Sequence, residues 1–184
     1  MKKVAIMLGD GFEPIEVMAP ADALRRGGAE VTLVSVMANL DVTAAQDITV
    51  KADKVVEDVD FDSFDMIVVP GGSVGVENLK KCDELGFALQ TFMSHHKLVG
   101  SICAGPTVLA ELGLLDGRKA TCYPGCETDF PQGVYQEGIG VVRDDNLITA
   151  SGPGQALEFG IELLRALKGD ADGEAVAKAM LFNI

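Results

Sequence analysis

Short apolar, β-branched runs alternate with amphipathic segments along this chain, and no other feature restricts its fold so tightly. Lys3–Leu8, Glu30–Val36, Met66–Val69, Lys97–Ile102 and Asn146–Ala150 are bounded by Gly, Pro or polar residues, as buried strands are. Between them, helical patterns cover Ile15–Arg26, with Pro14 at its start and Gly27-Gly28 after it, then Glu84–His95, Pro106–Leu115 and Gln155–Lys168, with a last helix over Gly173–Leu181. Strand and helix taking turns in this way predicts parallel βαβ units. The expected fold is α/β: a doubly wound, mostly parallel sheet with helices on both faces. Thr43–Val50 and Gly138–Arg143 break the rhythm and are assigned to edge strands or hairpins added to the sheet.

The 184 residues fit one domain, and 48% hydrophobic against 23% charged residues is the composition of a chain that folds alone. A net charge of −13, with the basic residues scattered, argues against a nucleic-acid partner. No run approaches the ~20 apolar residues that span a bilayer, and the apolar start of the chain meets Asp10 and Glu13 before reaching signal-peptide length. A cytoplasmic protein with four free cysteines is therefore expected.

Ligands of open parallel sheets collect at the carboxyl ends of the strands. Here those ends supply Gly9–Glu13, Pro70–Ser73, Cys103–Pro106 and Ser151–Gly154, each rich in glycine. Ser101-Ile102-Cys103-Ala104-Gly105 sets a nucleophile at the centre of a small-x-nucleophile-x-small pattern between a strand and a helix, the signature of a nucleophile elbow. A helix starting near Ala104–Pro106 points its N-terminus at Cys103. Such sites lower a cysteine pKa from ~8.5 into the range ~3.5–7.5, so a thiolate is expected. The helix N–H groups, with that of Gly72, can stabilise an oxyanion. Most free cysteines are only small buried hydrophobes, but the elbow pattern outweighs that reading.

A thiol nucleophile needs a proton partner. His95 and His96 precede the strand leading to Cys103, which places them at the opposite end of the sheet, about 20 Å away at ~3.3 Å per residue. Glu16, opening the first helix from the same sheet edge as Cys103, is the remaining candidate. Against an apolar wall its pKa rises, so it can donate to sulfur or take a proton from substrate. Glu13 is read as a complement to the helix dipole.

Gly11–Pro20 with Glu16, Pro70-Gly71-Gly72, the Ser101–Pro106 elbow and Ser151-Gly152-Pro153-Gly154 together resemble the ThiJ/PfpI superfamily. Within it the chain is most similar to the deglycase and glyoxalase branch that includes the Parkinson's-disease protein. The resemblance runs in order from about Lys3 to Leu167. It implies a flavodoxin-like fold, a homodimer, and no metal or organic cofactor. It also implies Cys103 as the reactive, easily oxidised cysteine, Glu16 as its protonated partner, Gly72 and Ala104 as oxyanion donors, and Gly71 and Tyr123 in the pocket.

Two positions depart from that branch: Tyr123 stands where it carries histidine, and Gln46 where it carries an anion-binding arginine. A phenol, with an unperturbed pKa of ~10, is a poor base near neutrality, so base work falls to Glu16. Peptidase relatives have histidine directly after the cysteine. Ala104 at that position argues against proteolysis, and the lack of a downstream His-x-Glu against an amidotransferase.

Cys122 and Cys126 are too few ligands for a metal site and are read as possible resolving thiols for oxidised Cys103; Cys82 is assigned no role. Two functions stay open. One is a glutathione-independent glyoxalase or deglycase acting on small dicarbonyls such as methylglyoxal, in carbonyl or oxidative stress. The other is a redox sensor or chaperone whose Cys103 is oxidised to sulfinate without turnover.

Overall fold

A computed structural model of the chain describes residues 1–183. Its main sheet has seven strands: β1 (Lys3–Leu8), β2 (Glu30–Ser35), β5 (Lys54–Val55), β6 (Met66–Val69), β7 (Leu98–Ile102), β8 (Val141–Asp144) and β9 (Leu147–Ala150), in the order β5-β2-β1-β6-β7-β9-β8. All pairs are parallel except β8–β9. β3 (Asp41–Thr43) and β4 (Thr49–Lys51) form a separate antiparallel hairpin. The helices are α1 (Pro14–Arg26), α2 (Ser73–Lys80), α3 (Asp83–Ser94), α4 (Pro106–Glu111), α5 (Ala156–Lys168) and α6 (Asp170–Ala179). This is the flavodoxin-like α/β arrangement.

Period-two alternation in β1 divides its side chains between two cores. Val4, Ile6 and Leu8 join Val17 and Leu24 of α1, Phe159 and Leu163 of α5 and Val176 of α6. Ala5 and Met7 meet Val76 of α2, Leu85 and Phe92 of α3 and Leu109 of α4. Phe12, Phe92 and Phe159 are fully buried, and each such side chain contributes ~1.5–3 kcal/mol. None of the helices, among the described residues, is long and apolar enough to cross a membrane.

The winding direction reverses at β1, which has β2 on one side and β6 on the other. The crevice of such a fold opens there, outside the carboxyl ends of β1 and β6, with β7 alongside.

Two expectations need adjusting. Thr43–Val50 does not add to the main sheet: its β3–β4 hairpin is latched to the β1–α1 loop, where Gly11 N donates to Thr43 O (2.7 Å) and Ala45 N to Phe12 O (2.8 Å). The helix over Pro106–Leu115 stops at Glu111, ahead of Gly113 in the left-handed region (φ 70°). Finally, α2 and the two-residue strand β5 were not legible in the residue pattern.

α1 and α5 approach closely at Gly160, where a Cβ would lie 2.8 Å from the Pro20 Cα and 3.1 Å from the Ala23 Cβ. Gly160→Val is expected to force the two helices apart at a cost of about 1–3 kcal/mol. A lowered urea midpoint with unchanged m-value would report it, and an unchanged midpoint would contradict this account of the contact.

Candidate active site

β7 ends at Ile102, and Cys103 turns the chain with φ 63°, a left-handed conformation that a non-glycine residue holds only when its surroundings enforce it. Three hydrogen bonds do so: Cys103 N donates to Ala150 O (2.9 Å), Gly105 N to Ile102 O (2.9 Å) and Tyr123 N to Cys103 O (2.8 Å). The small residues flanking the turn are required by contact. A Cβ on Gly105 would lie 2.6 Å from Val69 O and 2.7 Å from Ser101 Oγ. Ser101 is itself buried and donates to Val69 O (3.2 Å).

Glu16 sits in the first turn of α1 with no exposure to solvent. Gly71 N donates to its Oε2 at 2.8 Å, while Oε1 has no conventional hydrogen-bond partner. Gly71 must be glycine for carboxyl and thiol to meet: a Cβ there would lie 2.6 Å from Glu16 Oε2 and 2.7 Å from the Cys103 Cβ. Gly72 has φ 91° and packs its Cα against the Gly11–Glu13 backbone, so its position also demands glycine. The loops after β1, β6 and β7 thus close around one point.

The β1–α1 loop is held by contacts that the sequence reading did not anticipate. Asp10 Oδ1 accepts from Thr43 N (2.8 Å), and Asn78 Nδ2 donates to Asp10 O (2.9 Å). The only local signal is the Asp-Gly step at Asp10-Gly11, which marks a turn without naming its partners.

Burial pushes Glu16 up to about 7, aided by the charge of Glu13 and opposed by Cys103 and the Gly71 N–H. Burial and the Glu16 carboxylate push the Cys103 thiol up to about 12, while the N–H groups of Ala104 and Gly72 favour the thiolate. This corrects the expectation of a helix-lowered thiol. α4 has only six residues and starts three positions beyond the sulfur, so desolvation and the adjacent carboxylate outweigh its dipole. A carboxylate and a thiolate cannot both persist here. Near neutrality the pair shares one proton, and sulfur is ionised when Glu16 holds it.

Tyr123 is half exposed, and its ring lies over Gly152, where a Cβ would meet Cδ2 at 3.3 Å. Gln46 is exposed at the hairpin tip with φ 62°. Cys122 is fully buried, and burial with the nearby Cys126 and Glu127 pushes its thiol up to about 12. Cys122 precedes Tyr123, whose N–H donates to Cys103 O, so the loop that carries Cys122 and Cys126 adjoins the elbow. No group of three or more His, Cys, Asp or Glu residues positioned to hold a metal ion occurs among the described residues. His96 Nδ1 lies 3.2 Å from Asp145 Oδ2 and His95 ends α3, both ahead of β7 and so at the far edge of the sheet from Cys103.

The sequence profile of the DJ-1/PfpI family matches residues 2–166. The chain is 34% identical over 181 residues to protein dj-1beta of Drosophila melanogaster, covering 98% of this chain and 97% of that one. It is 34% identical over 169 residues to the glutathione-independent glyoxalase DJR-1.2 of Caenorhabditis elegans, covering 91% and 89%. Among solved structures, oxidized DJ-1 of Toxoplasma gondii superposes with a TM-score of 0.96 at 34% identity over the whole of both chains.

Glu16 binds its proton more tightly in the folded chain than in the unfolded one, where it titrates near 4.5. The folded state therefore holds an extra proton between those values: the stabilisation is complete below about 4.5 and is lost as pH rises through about 7, a change of about 3 kcal/mol. Glu16→Gln removes the titration. The variant is expected to be more stable than the parent at pH 8, with the gain vanishing by pH 4, in urea unfolding followed across pH. A gain that does not depend on pH would contradict the buried-carboxyl assignment.

Proposed function

This chain belongs to the DJ-1/PfpI family, and on that footing we propose that it is a cysteine-dependent glyoxalase or deglycase that converts small dicarbonyls such as methylglyoxal, or their adducts, without glutathione. One observation carries the reading: a solvent-free carboxyl group whose proton is exchangeable near neutrality stands beside a strained, partly exposed cysteine. The glyoxalase relative, which aligns over nine-tenths of this chain, supports the same class of chemistry.

In the reactive form Glu16 holds the shared proton and Cys103 is thiolate. Sulfur adds to the aldehyde carbon, and the carbonyl oxygen, directed at the N–H groups of Gly72 and Ala104, takes up the proton from Glu16 to give a hemithioacetal. The Glu16 carboxylate then removes the hydrogen on that carbon as a proton, generating an enediolate, and returns it to the neighbouring carbon while the hydroxyl proton passes from the former aldehyde oxygen to the former ketone oxygen. The former aldehyde carbon is now a thioester and the former ketone carbon an alcohol. One carbon is oxidised as the other is reduced, so no external electron carrier is needed. Water cleaves the C–S bond, releasing the 2-hydroxy acid and restoring the thiol. Tyr123, over Gly152, supplies one wall of the pocket.

The same reading places the protein in the cytoplasm as a homodimer. The exposed apolar side chains Ile15 and Met18 on α1 and Ile48 beside β4 support self-association.

A second reading has an observation of its own, the relative solved in an oxidized state. Under it Cys103 is a peroxide sensor that gains two oxygens as a sulfinate, with Glu16 donating to it. Intact mass after mild peroxide separates the two: two added oxygens confined to Cys103, with no dicarbonyl turnover, favours the sensor.

Purified protein is expected to form lactate from methylglyoxal without glutathione, Cys103→Ala to abolish this, and Glu16→Gln to reduce kcat by about 10²–10⁴. Since the doubly protonated pair is inert, kcat/KM is expected to rise with pH through about 7, losing about tenfold per unit below it. Activity that survives either substitution, or a profile flat between pH 5 and 8, would defeat the mechanism.

A further inference from the structure

The loop between β1 and α1 runs Gly9-Asp10-Gly11-Phe12-Glu13 and delivers Glu16 to the crevice. Two glycines in three residues make its backbone pliable, so its course is set by what it touches. Phe12 is fully buried and seats the loop on one side. Two backbone bonds and the Asp10 carboxylate tie it to β3–β4, a hairpin outside the main sheet. Its other support is α2.

Val74, Gly75 and Asn78 share one face of α2, and that face meets the loop at backbone distance. A Cβ on Gly75 would lie 2.7 Å from Phe12 N, one on Gly11 2.5 Å from the Val74 Cβ, and one on Gly9 2.9 Å from the Asn78 Cβ. Across this contact Asn78 Nδ2 donates to Asp10 O at 2.9 Å, the one side-chain hydrogen bond between helix and loop among the described residues. Val76 and Leu79 fix α2 in the second core, and the helix starts at Gly72. One anchored helix therefore carries the Gly72 N–H at its start and grips the Glu16 loop from its second turn.

We propose that Asn78 is a positioning residue: its bond to Asp10 O keeps the loop pressed on α2, so that the Glu16 carboxyl stays sealed from water against Cys103. The proposal rests on Cys103 and Glu16 being the reactive pair proposed above. With the tie cut, the loop moves off the helix and water reaches the carboxyl. Hydration favours the carboxylate, so the shared proton passes to sulfur and the reactive thiolate becomes scarcer, although the pair gives up its first proton more readily. A lower plateau of reactivity, with its midpoint moved to lower pH, is the signature; lost stability alone changes neither. Other charged groups around the pair are common to parent and variant. Glu13 acts on Glu16, Asp10 is held by the Thr43 N–H, Lys80 pairs with Glu77 and Glu111, and Asp47, Lys54 and Lys81 are exposed. A neutral replacement of Asn78 alters none of their charges.

Alkylation of Cys103 by iodoacetamide reads the thiolate without requiring turnover. Its rate is followed from pH 5 to 9 by intact mass, with the modified peptide located. Asn78→Leu, of the same branched shape without the amide, is expected to lower the plateau by about threefold or more and the midpoint by about half a pH unit or more. Asn78→Ser, one atom too short for the bond, is expected to do the same. In a Glu16→Gln background Asn78→Leu is expected to add no change of its own, because no carboxyl remains to be exposed. Leu89→Ala, a core truncation in α3, is the control for stability and is expected to keep the parent's profile while lowering the urea midpoint. A parent-like profile in both Asn78 variants, an equal shift in Leu89→Ala, or the same shift in the Glu16→Gln background overturns the inference. So does loss of the fold in both Asn78 variants, seen by circular dichroism, because the residue would then hold up the molecule and not the site. The expected profiles without methylglyoxal turnover sustain the inference and remove the glyoxalase reading; turnover with parent-like profiles does the reverse. No labelling of Cys103 overturns both.

Discussion

A carboxyl group with no access to water, pressed against a thiol, is the interaction around which this molecule is arranged. Neither group can be ionised cheaply while the other is, and Oε1 of Glu16 lacks a conventional partner. Such a pair persists only on a scaffold rigid enough to hold it. The central parallel strands β1, β6 and β7 are buried on both faces and supply that rigidity. The strain is concentrated at their carboxyl ends: Cys103 and Gly72 at positive φ, and Gly71 and Gly105 at contacts that admit no side chain.

Parts of this arrangement that depend on neighbours in sequence were legible in advance. β1 and β6 coincide with their apolar runs, and α1 begins at Pro14 and ends before the Gly27-Gly28 pair, as its punctuation indicates. The elbow was legible because steric demand on residues two before and two after the nucleophile leaves a mark on composition. α2 was not: Ser73–Lys80 starts from consecutive glycines and buries only Gly75, Val76 and Leu79, too few positions to establish a helical period. The hairpin β3–β4 was visible as strand-like sequence, but its attachment to the Asp10–Phe12 loop depends on backbone hydrogen bonds that carry no residue signature.

Electrostatics was the least legible level. A local rule, cysteine before a helix, predicts a lowered thiol pKa. Two facts absent from the local sequence reverse the sign: the helix is short, and a buried carboxyl from the helix after β1, two strands away, lies against the sulfur. The reversal changes the chemistry and not only the number. A helix-stabilised thiolate would be a permanent anion, open to any electrophile or oxidant. A thiolate that exists only while its neighbour holds the proton comes with an acid already in place, and the acid becomes a base once sulfur has been consumed in bonding. In the proposed mechanism one carboxyl group thus serves addition and isomerisation in turn and no histidine is needed, consistent with His95 and His96 lying at the far edge.

The charge of the crevice follows from the same directionality that builds the fold. In a parallel sheet flanked by helices, a crossover helix ends at the edge where the next strand begins, and cations at helix C-termini interact favourably with the dipole. Arg25 and Arg26 in α1 and Arg165 and Lys168 in α5 occupy such last turns. Acidic residues are favoured at helix starts for the complementary reason, and the start of α1 at the carboxyl edge brings Glu16 in its first turn, with Glu13 just before it. The cysteine at that edge lies beside a carboxyl group brought there by the start of α1, and its ionisation is governed by the proton the two share.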